Sequence, residues 1–500
     1  MIAGSVPILS CDAARDLEVA LLGGDEAKEW QAMQKAGRAI AVEVVRDFQE
    51  IGGFPSSGRV LVLVGKGHNG GDALIAASEI LQRFPDATAD VLFAFGEQSI
   101  RPLTARSWRE VSQVGRDRWG RRSKDELGSP SARAYDLCLD GLFGFQYRPP
   151  ADPKITALLE HVNALPIRVR AAVDLPSADL FRADFTYATG SVKQPVIDSE
   201  CAGRLRYLDL GFFDGSADRG ADRVLTREVL RPLAALRPAR CDKRSYGHLF
   251  VVGGSRSYPG AVLMAVEAAL HAGTGIVSAF VPESLYAAYA ARVPEAIWVG
   301  CPETPTGGLA LEGMHLIRER LERATAFAIG PGIGREPETQ ALIKELITTT
   351  GRPTLLDADA LQPELVRAAN VPLVLTPHAG EFARIASDAG LREFVQQTRA
   401  TVVLKGPVTR ICSAGESNVP VVYHSFGGGP VLARGGSGDL LAGMIGGLLA
   451  QEPGELLLAA ARGAVWHGLA ADALARARGQ VAVTTTQLLE FLPSVLRASS

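Results

Sequence analysis

The feature that most limits how this chain can fold is an alternation. Short β-branched apolar runs, many closing on glycine or a carboxylate, recur between Ala/Leu-rich stretches long enough to be helices. In the first half the runs lie at 60–64, 91–95, 135–139, 167–173 and 205–210, with helical candidates at 73–84 and 155–165. In the second half they lie at 249–252, 276–281, 326–329, 354–356, 373–375 and 402–404. This pattern predicts mostly parallel sheets covered by helices on both faces, with ligand loops at the carboxyl ends of the strands. A length of 500 residues exceeds one ordinary core, so two α/β domains are expected. The charged, Pro/Arg-rich segment 214–244 reads as a solvated connector. It puts the boundary near residue 235 and gives domains 1–235 and 236–500.

Charge and composition exclude several function classes. Lys+Arg 52 against Asp+Glu 55 leaves a net charge of −3, with no basic excess for nucleic acid or an anionic membrane surface. The 6 cysteines are scattered with no CxxC pair, and the 8 histidines form no HExxH. That is neither a zinc frame nor a secreted disulfide scaffold. No apolar stretch is long enough for a signal peptide or a membrane span, so a cytoplasmic location without membrane partners is expected.

The run 60–64 leads into Gly65-Lys66-Gly67-His68-Asn69-Gly70-Gly71-Asp72. Gly65, Gly67 and Gly70 fit GxGxxG, which lets backbone N–H groups approach a pyrophosphate at a helix N-terminus. The same string also suits a merely tight strand-to-helix turn. The ribose-binding acid is ambiguous between Asp90 and Glu97. Asn69 and Asp72 are additional to such a fingerprint. Two more strand ends carry oxygen ligands, Asp140 after 135–139 and Asp174 with Ser177 after 167–173. Either each aspartate caps its own turn, or Asn69, Asp140 and Ser177 converge on a group I or II cation.

The strongest signal is Gly435-Gly436-Ser437-Gly438-Asp439 before a small-residue helix. Small residues at a helix N-terminus expose successive N–H groups to an anion, with the helix dipole behind them. Asp439 in the first turn is expected to be held ionised there and to accept a proton. An anion hole beside a carboxylate base is what phosphoryl transfer to a hydroxyl requires. No Walker GxxxxGK[ST] string is present. Gly253-Gly254-Ser255, Gly330-Pro331-Gly332, Asp357-Ala358-Asp359, Thr376-Pro377-His378 and Leu404-Lys405-Gly406 each follow an apolar run. His467 and Asp472 read as core and capping residues.

At residues 68–72, 140–145 and 174–177 the chain resembles the NAD(P)H-hydrate epimerase domain, whose usual strings are NNGGD, D-x-L-F-G and D-x-P-S-G. The resemblance covers roughly 12–215 and implies a Rossmann-like three-layer αβα domain. It implies that His68, Asn69, Gly70, Gly71, Asp72, Gly144, Phe145, Gln146, Tyr147, Arg148, Pro149 and Pro150 contact the hydrated nucleotide. Asn69, Asp140 and Ser177 would bind K+, and Asp174 would act at the reacting ring. The chain departs from the family at His68 (usually Asn), at Ala178 (usually Gly) and across 179–184.

The second half, roughly 240–495, resembles the ribokinase-like superfamily and within it the ADP-dependent NAD(P)H-hydrate dehydratases. Their strings GGS, Y-x-G-A, G-P-G-[IL]-G, D-A-D-A-L, T-P-H-x-G-E, L-K-G and GG[ST]GD occur here in order. The resemblance implies a second αβα domain in which Ala261, Gly332, His378 and Asp439 contact the hydrated nucleotide. Lys405, Gly406, Pro407, Val408, Thr409, Gly435, Gly436, Ser437 and Gly438 would hold ADP with Mg2+, and Asp439 would be catalytic. The departures are Gln362 (usually Asn), Ala379 (usually Pro) and Arg434 (usually Thr), the last either strengthening phosphate binding or pointing away. The expected activity is repair of hydrated NADH or NADPH by a homo-oligomer, through epimerisation of the R and S forms and ADP-dependent dehydration of the S form. Two alternatives stay open, a ribokinase-type small-molecule kinase and a non-catalytic first domain.

Overall fold

The computed structural model describes residues 1–498 except 114, 128–133, 149, 214–221 and 416–418. Contacts divide the chain into two compact units, one of residues 6–221 with 475–480 and one of 1–5, 222–474 and 481–500.

The first unit carries a 7-stranded parallel sheet. In chain order its strands are β1 (Arg59–Val64), β2 (Thr88–Phe93), β3 (Trp119–Arg121), β4 (Tyr135–Gly141), β5 (Ile167–Val173), β6 (Phe185–Thr189) and β7 (Arg204–Leu208). Their spatial order is β3-β2-β1-β4-β5-β6-β7, which reverses direction between β1 and β4. That is the doubly wound order whose crevice lies at the switch point. The two-residue period of β1 shows how the layers form. Val60, Val62 and Val64 pack with Ile40, Leu74 and Ile80 on one face. Leu61 and Leu63 pack with Ile155, Leu158 and Leu159 on the other. β3 and β6 were not expected. β3 is three residues long, and β6 (Phe-Thr-Tyr-Ala-Thr) lacks an aliphatic run.

The helix after β1 spans His68–Arg83, so it starts five residues before the expected 73 and takes His68–Asp72 into its first turn. Gly65 precedes it where a Cβ would collide with the Leu142 carbonyl oxygen, and this close approach is why a glycine is needed there.

In the second unit the strands His248–Val252, Ala326–Ile329, Thr354–Leu356, Leu373–Leu375 and Thr401–Leu404 lie side by side and parallel. Ile276–Pro282 and Ile297–Cys301 continue the sheet beyond His248–Val252. At the far edge Thr409–Cys412 and Val422–Ser425 turn antiparallel. The expected runs all recur within one or two residues; Ile297–Cys301 and the antiparallel pair were missed. Phe250, Phe280 and Phe327 anchor the core on one face. The connector expectation does not hold for 222–234, whereas 235–245 are exposed as expected. Arg223–Leu225 is a strand parallel to Val422–Ser425, and Val224 and Leu230 are buried, so 222–234 group with the second unit. Residues 214–221 lie outside the described residues. Among the described residues no helix is long and apolar enough to cross a membrane.

Candidate active sites

The first site is a cavity of ≈ 370 Å³ at the carboxyl ends of β1, β4 and β5. His68, Asn69 and Asp72 enter it from the first turn of His68–Arg83, Gly144 to Tyr147 from the loop after β4, and Asp174 from the end of β5. Gly70 and Gly71 do not line it; they pack against Gly65 and Met33 inside the helix turn. Arg148 and Pro150 do not line it either, and Arg148 lies on the surface 3.4 Å from Asp12. Pro149 lies outside the described residues. Phe143 stacks on Tyr147 with centroids 4.5 Å apart, which stiffens the loop.

Asp90 and Glu97, the two ribose candidates, are both engaged elsewhere. Asp90 pairs with Arg59 at 2.6 Å and Arg122 at 3.2 Å, and Glu97 accepts from Trp108 and Arg121. Neither lines the cavity.

Two of the three expected cation ligands, Asp140 and Ser177, bond each other, and Asn69 lies nearby on the Val173 and Phe143 carbonyls. Asp140, fully buried, accepts from the Ser177 hydroxyl at 2.7 Å and the Ser177 amide at 2.8 Å. Burial raises its carboxyl to about 6 against those hydrogen bonds. Asn69 Nδ2 donates to the carbonyls of Val173 at 2.8 Å and Phe143 at 3.2 Å. Its Oδ1 is thereby turned toward Gly144, where a Cβ would lie 2.8 Å away. Hard oxygen groups of modest charge of this kind suit a group I or II cation better than zinc.

Three residues of the β5 exit have positive φ: Asp174 at 69°, Ala178 at 57° and Asp179 at 54°. The family's glycine at 178 thus meets a real backbone demand, and Ala178 satisfies it at a cost. Ala178→Gly is expected to stabilise the unit by up to about 1 kcal/mol, seen as a higher urea midpoint.

Sequence reasoning missed Lys193. Its Nζ lies 2.6 Å from Asp174 Oδ1, and the two side chains are 1% and 3% exposed. Val192 and Lys193 form a short strand whose partners Ile8 and Leu9 hold it at the cavity. A lysine four residues beyond an unrecognised strand carries no motif. Glu18 was missed for the same reason; burial, with Asp174 and Glu29 adding, raises it to about 7.

The second site gathers at the helix Ser437–Gln451. Gly436 caps it with φ 93°, and the Ser437 hydroxyl turns back to the carbonyls of Leu432 and Arg434. The loop is therefore closed on itself, and the first amides of the helix have no intrahelical acceptor. A Cβ on Gly438 would sit 3.2 Å from Lys405 Nζ. Lys405 Nζ is 3.1 Å from Asp357 and 3.9 Å from Glu381. Burial would lower Lys405, but those two carboxylates outweigh it and raise it. His378 and Lys405 are bridged through their backbones, and His378 Nδ1 caps the helix Ala379–Ala386. Ala261 and Gly332 are also neighbours, with 3.1 Å between the Ala261 Cβ and a Cβ built on Gly332. Gly406, Pro407 and Val408 form the turn between Thr401–Leu404 and Thr409–Cys412.

Two expectations change here. Asp439 is not simply ionised by the helix end. Burial, then Asp357 and Glu381, raise it to about 7 against the pull of Lys405. Arg434 takes the second of its two alternatives and points to the carbonyls of Val483 at 2.9 Å and Val481 at 2.7 Å. Asp357 and Glu381 were quoted within motifs but given no role. Their signal was only their place, Asp357 at a strand end and Glu381 in the first turn of the helix Ala379–Ala386.

Residues 249–494 match a family described as NAD(P)H-hydrate dehydratase, and residues 29–197 match one described as YjeF-related protein N-terminus. The chain is 34% identical over 506 residues to the bifunctional NAD(P)H-hydrate repair enzyme Nnr of Moorella thermoacetica, covering 93% of this chain and 92% of that protein. It is 36% identical over 502 residues to the protein of that name from Gloeobacter violaceus, covering 92% of each. Among solved structures, the ADP/ATP-dependent NAD(P)H-hydrate dehydratase of Bacillus subtilis, co-crystallised with ATP/Mg2+, aligns at TM-score 0.46 and 26% identity. It covers 55% of this chain and 98% of that one.

Proposed function

The chain belongs to the bifunctional NAD(P)H-hydrate repair enzymes, and we propose that the first unit, residues 6–221 with 475–480, interconverts the R and S forms of hydrated NADH or NADPH while the second unit dehydrates the S form at the expense of ADP. What carries this reading is the presence on one chain of two unlike sites, a carboxyl-lined cavity and a helix-end anion hole beside a base. A ribokinase-type kinase would need only the second.

In the dehydration step, Asp439 accepts the proton of the C6 hydroxyl as that oxygen attacks the β-phosphorus of ADP and AMP leaves. The amides of Gly438 and its neighbours and Lys405 stabilise the transferring phosphoryl group. The C6–O bond then breaks with the ring-nitrogen lone pair, inorganic phosphate departs, and the C5 proton passes to water, which restores the dihydronicotinamide. Mg2+ would neutralise charge on the nucleotide phosphates near Lys405, Asp357 and Glu381. Asn69, Asp140 and Ser177 would hold K+ beside the first cavity, which Asn69 lines. There it would order the loops that present Asp174 and Gly144.

The test is turnover of mixed hydrated NADH epimers with ADP, Mg2+ and K+. Both epimers should disappear faster than without enzyme, with one phosphate released per NADH. Omitting ADP should leave epimers that equilibrate but are not consumed. Replacing K+ by Li+ should slow epimerisation while dehydration of the S form persists. Consumption of the S form alone would sink the epimerase half, and accumulation of a stable phosphoester would favour the kinase.

A further inference from the structure

The cavity of the first unit holds two carboxyl groups in opposite electrostatic company. Asp174 has a counter-charge, with Lys193 Nζ 2.6 Å away. Lys193 also donates to the Thr189 carbonyl and lies 5.0 Å from the Phe145 ring centroid, so it is held in place from three sides. Asp72 lines the same cavity, is 7% exposed, and its Oδ1 has no hydrogen-bond partner. An ammonium in contact favours the charged form of its partner, whereas a buried carboxyl beside like charges favours the neutral form.

The groups facing Asp72 bear this out. Burial comes first, then Asp174 and Glu18, and together they raise Asp72 well above its ordinary value while Lys193 opposes them. Glu18 comes from the helix Cys11–Leu22. Glu29 and Arg101 face the neighbouring His68, which burial lowers. The helix Pro102–Gln113 packs on this turn through the neutral Ser107, beside Gly71.

Two carboxyls in one cavity, one ion-paired with Lys193 and one buried with an unpartnered oxygen, are placed to act as an acid–base pair. Resting on the epimerase reading above, we propose that Asp72 is the proton donor and Asp174, ion-paired with Lys193, the proton acceptor in epimerisation at C6. The C6–O bond breaks as the ring-nitrogen lone pair forms N1=C6, and the departing hydroxyl takes the Asp72 proton and becomes water. A water then adds to C6 from the opposite face, the N1=C6 electron pair returns to nitrogen, and its proton passes to Asp174. No atom or charge is left over, and the proton returns from Asp174 to Asp72 between turnovers. The reverse reaction uses the pair with the roles exchanged. Lys193 is a positioning residue that keeps the two carboxyls different.

The experiment uses the full chain without ADP, starting from one separated epimer, and subtracts the enzyme-free rate. Wild type should show a bell-shaped pH dependence of kcat. Asp72→Asn should lower kcat at least ~100-fold, with KM changed by less than ~3-fold and the alkaline limb lost. Asp72→Glu, which restores a carboxyl, should recover part of that loss. Dehydration of the S epimer with ADP, together with an unchanged thermal melt, checks each preparation. An Asp72→Asn protein that keeps kcat and raises KM would overturn the assignment and make Asp72 a binding group. Loss of the alkaline limb in Glu18→Gln rather than in Asp72→Asn would also overturn it, making Glu18 the donor. A wild-type chain that leaves a single epimer unchanged would sink the epimerase reading and the pair with it. Wild-type epimerisation alongside a fully active Asp72→Asn would sink the pair alone.

Discussion

Asp439→Asn is expected to cut dehydration at least ~100-fold while the protein still equilibrates the two epimers. The substitution keeps the size of the side chain and most of its hydrogen bonds but removes its basicity. ADP binding should change far less, because the Gly438 amide and Lys405 remain beside the loop. The pH dependence of the wild type follows from the shift. Asp439 is raised to about 7, chiefly by burial and then by Asp357, so the accepting form grows as pH rises through about 7. Dehydration should therefore rise with pH across that range and fall away below it. The mutant should lose that dependence along with the rate. Retention of more than about a tenth of wild-type dehydration would show that Asp439 is not the base.

The second large effect is on stability, at Asp47. This carboxyl ends the helix Glu26–Asp47 and is 3% exposed. It accepts from the Tyr187 hydroxyl at 3.1 Å, from Arg206 at 3.1 and 3.2 Å, and from Arg476 at 2.7 Å. Burial alone would raise it, but the two guanidiniums and their hydrogen bonds outweigh burial and hold it below its ordinary value. Asp47→Ala removes the central acceptor from two arginines in a poorly hydrated place. Breaking a buried pair on one side costs about 3–5 kcal/mol, so the first unit should be destabilised by that order. Hydrogen exchange should rise across 26–47 and 185–208 and hardly change in the second unit. Asp47→Asn, which keeps one acceptor oxygen and loses the charge and the other acceptor, should fall between wild type and Asp47→Ala. The sign with pH is also set. A depressed carboxyl contributes stability above its unfolded pKa of about 3.9, and loses it as pH falls through the lower folded value. The gap between wild type and Asp47→Ala should accordingly close in acid. A constant gap would mean that the charge of Asp47 does not stabilise the fold.

The first glycine string shows the limit of reading chemistry from local pattern. GxGxxG suggested a dinucleotide turn, yet its third glycine, Gly70, and the next residue, Gly71, serve helix packing and not the cavity. Asn69 and Asp72, the residues that string did not need, face the cavity together with Lys66, Gly67 and His68. The glycine expected at 178 told of a left-handed backbone, and the backbone is left-handed even with alanine there. Lys193 left no trace in the sequence because its importance comes from a pairing with Leu9, far away in the chain, that brings it to Asp174.

The sequence by itself determined the layered α/β architecture, because alternation of apolar runs is a local record of which residues leave water. It also determined where the oxygen ligands and small residues cluster, since strand ends and helix starts are marked by residue type. Only the tertiary structure decided how those groups are charged. Asp439 and Asp72 owe their raised carboxyls to burial and to Asp357, Glu381, Asp174 and Glu18, which lie on other elements. Lys193 and Lys405 meet their carboxylates across the fold. Desolvation and Coulomb terms depend on distances between elements remote in the chain, and a linear string holds no such distances.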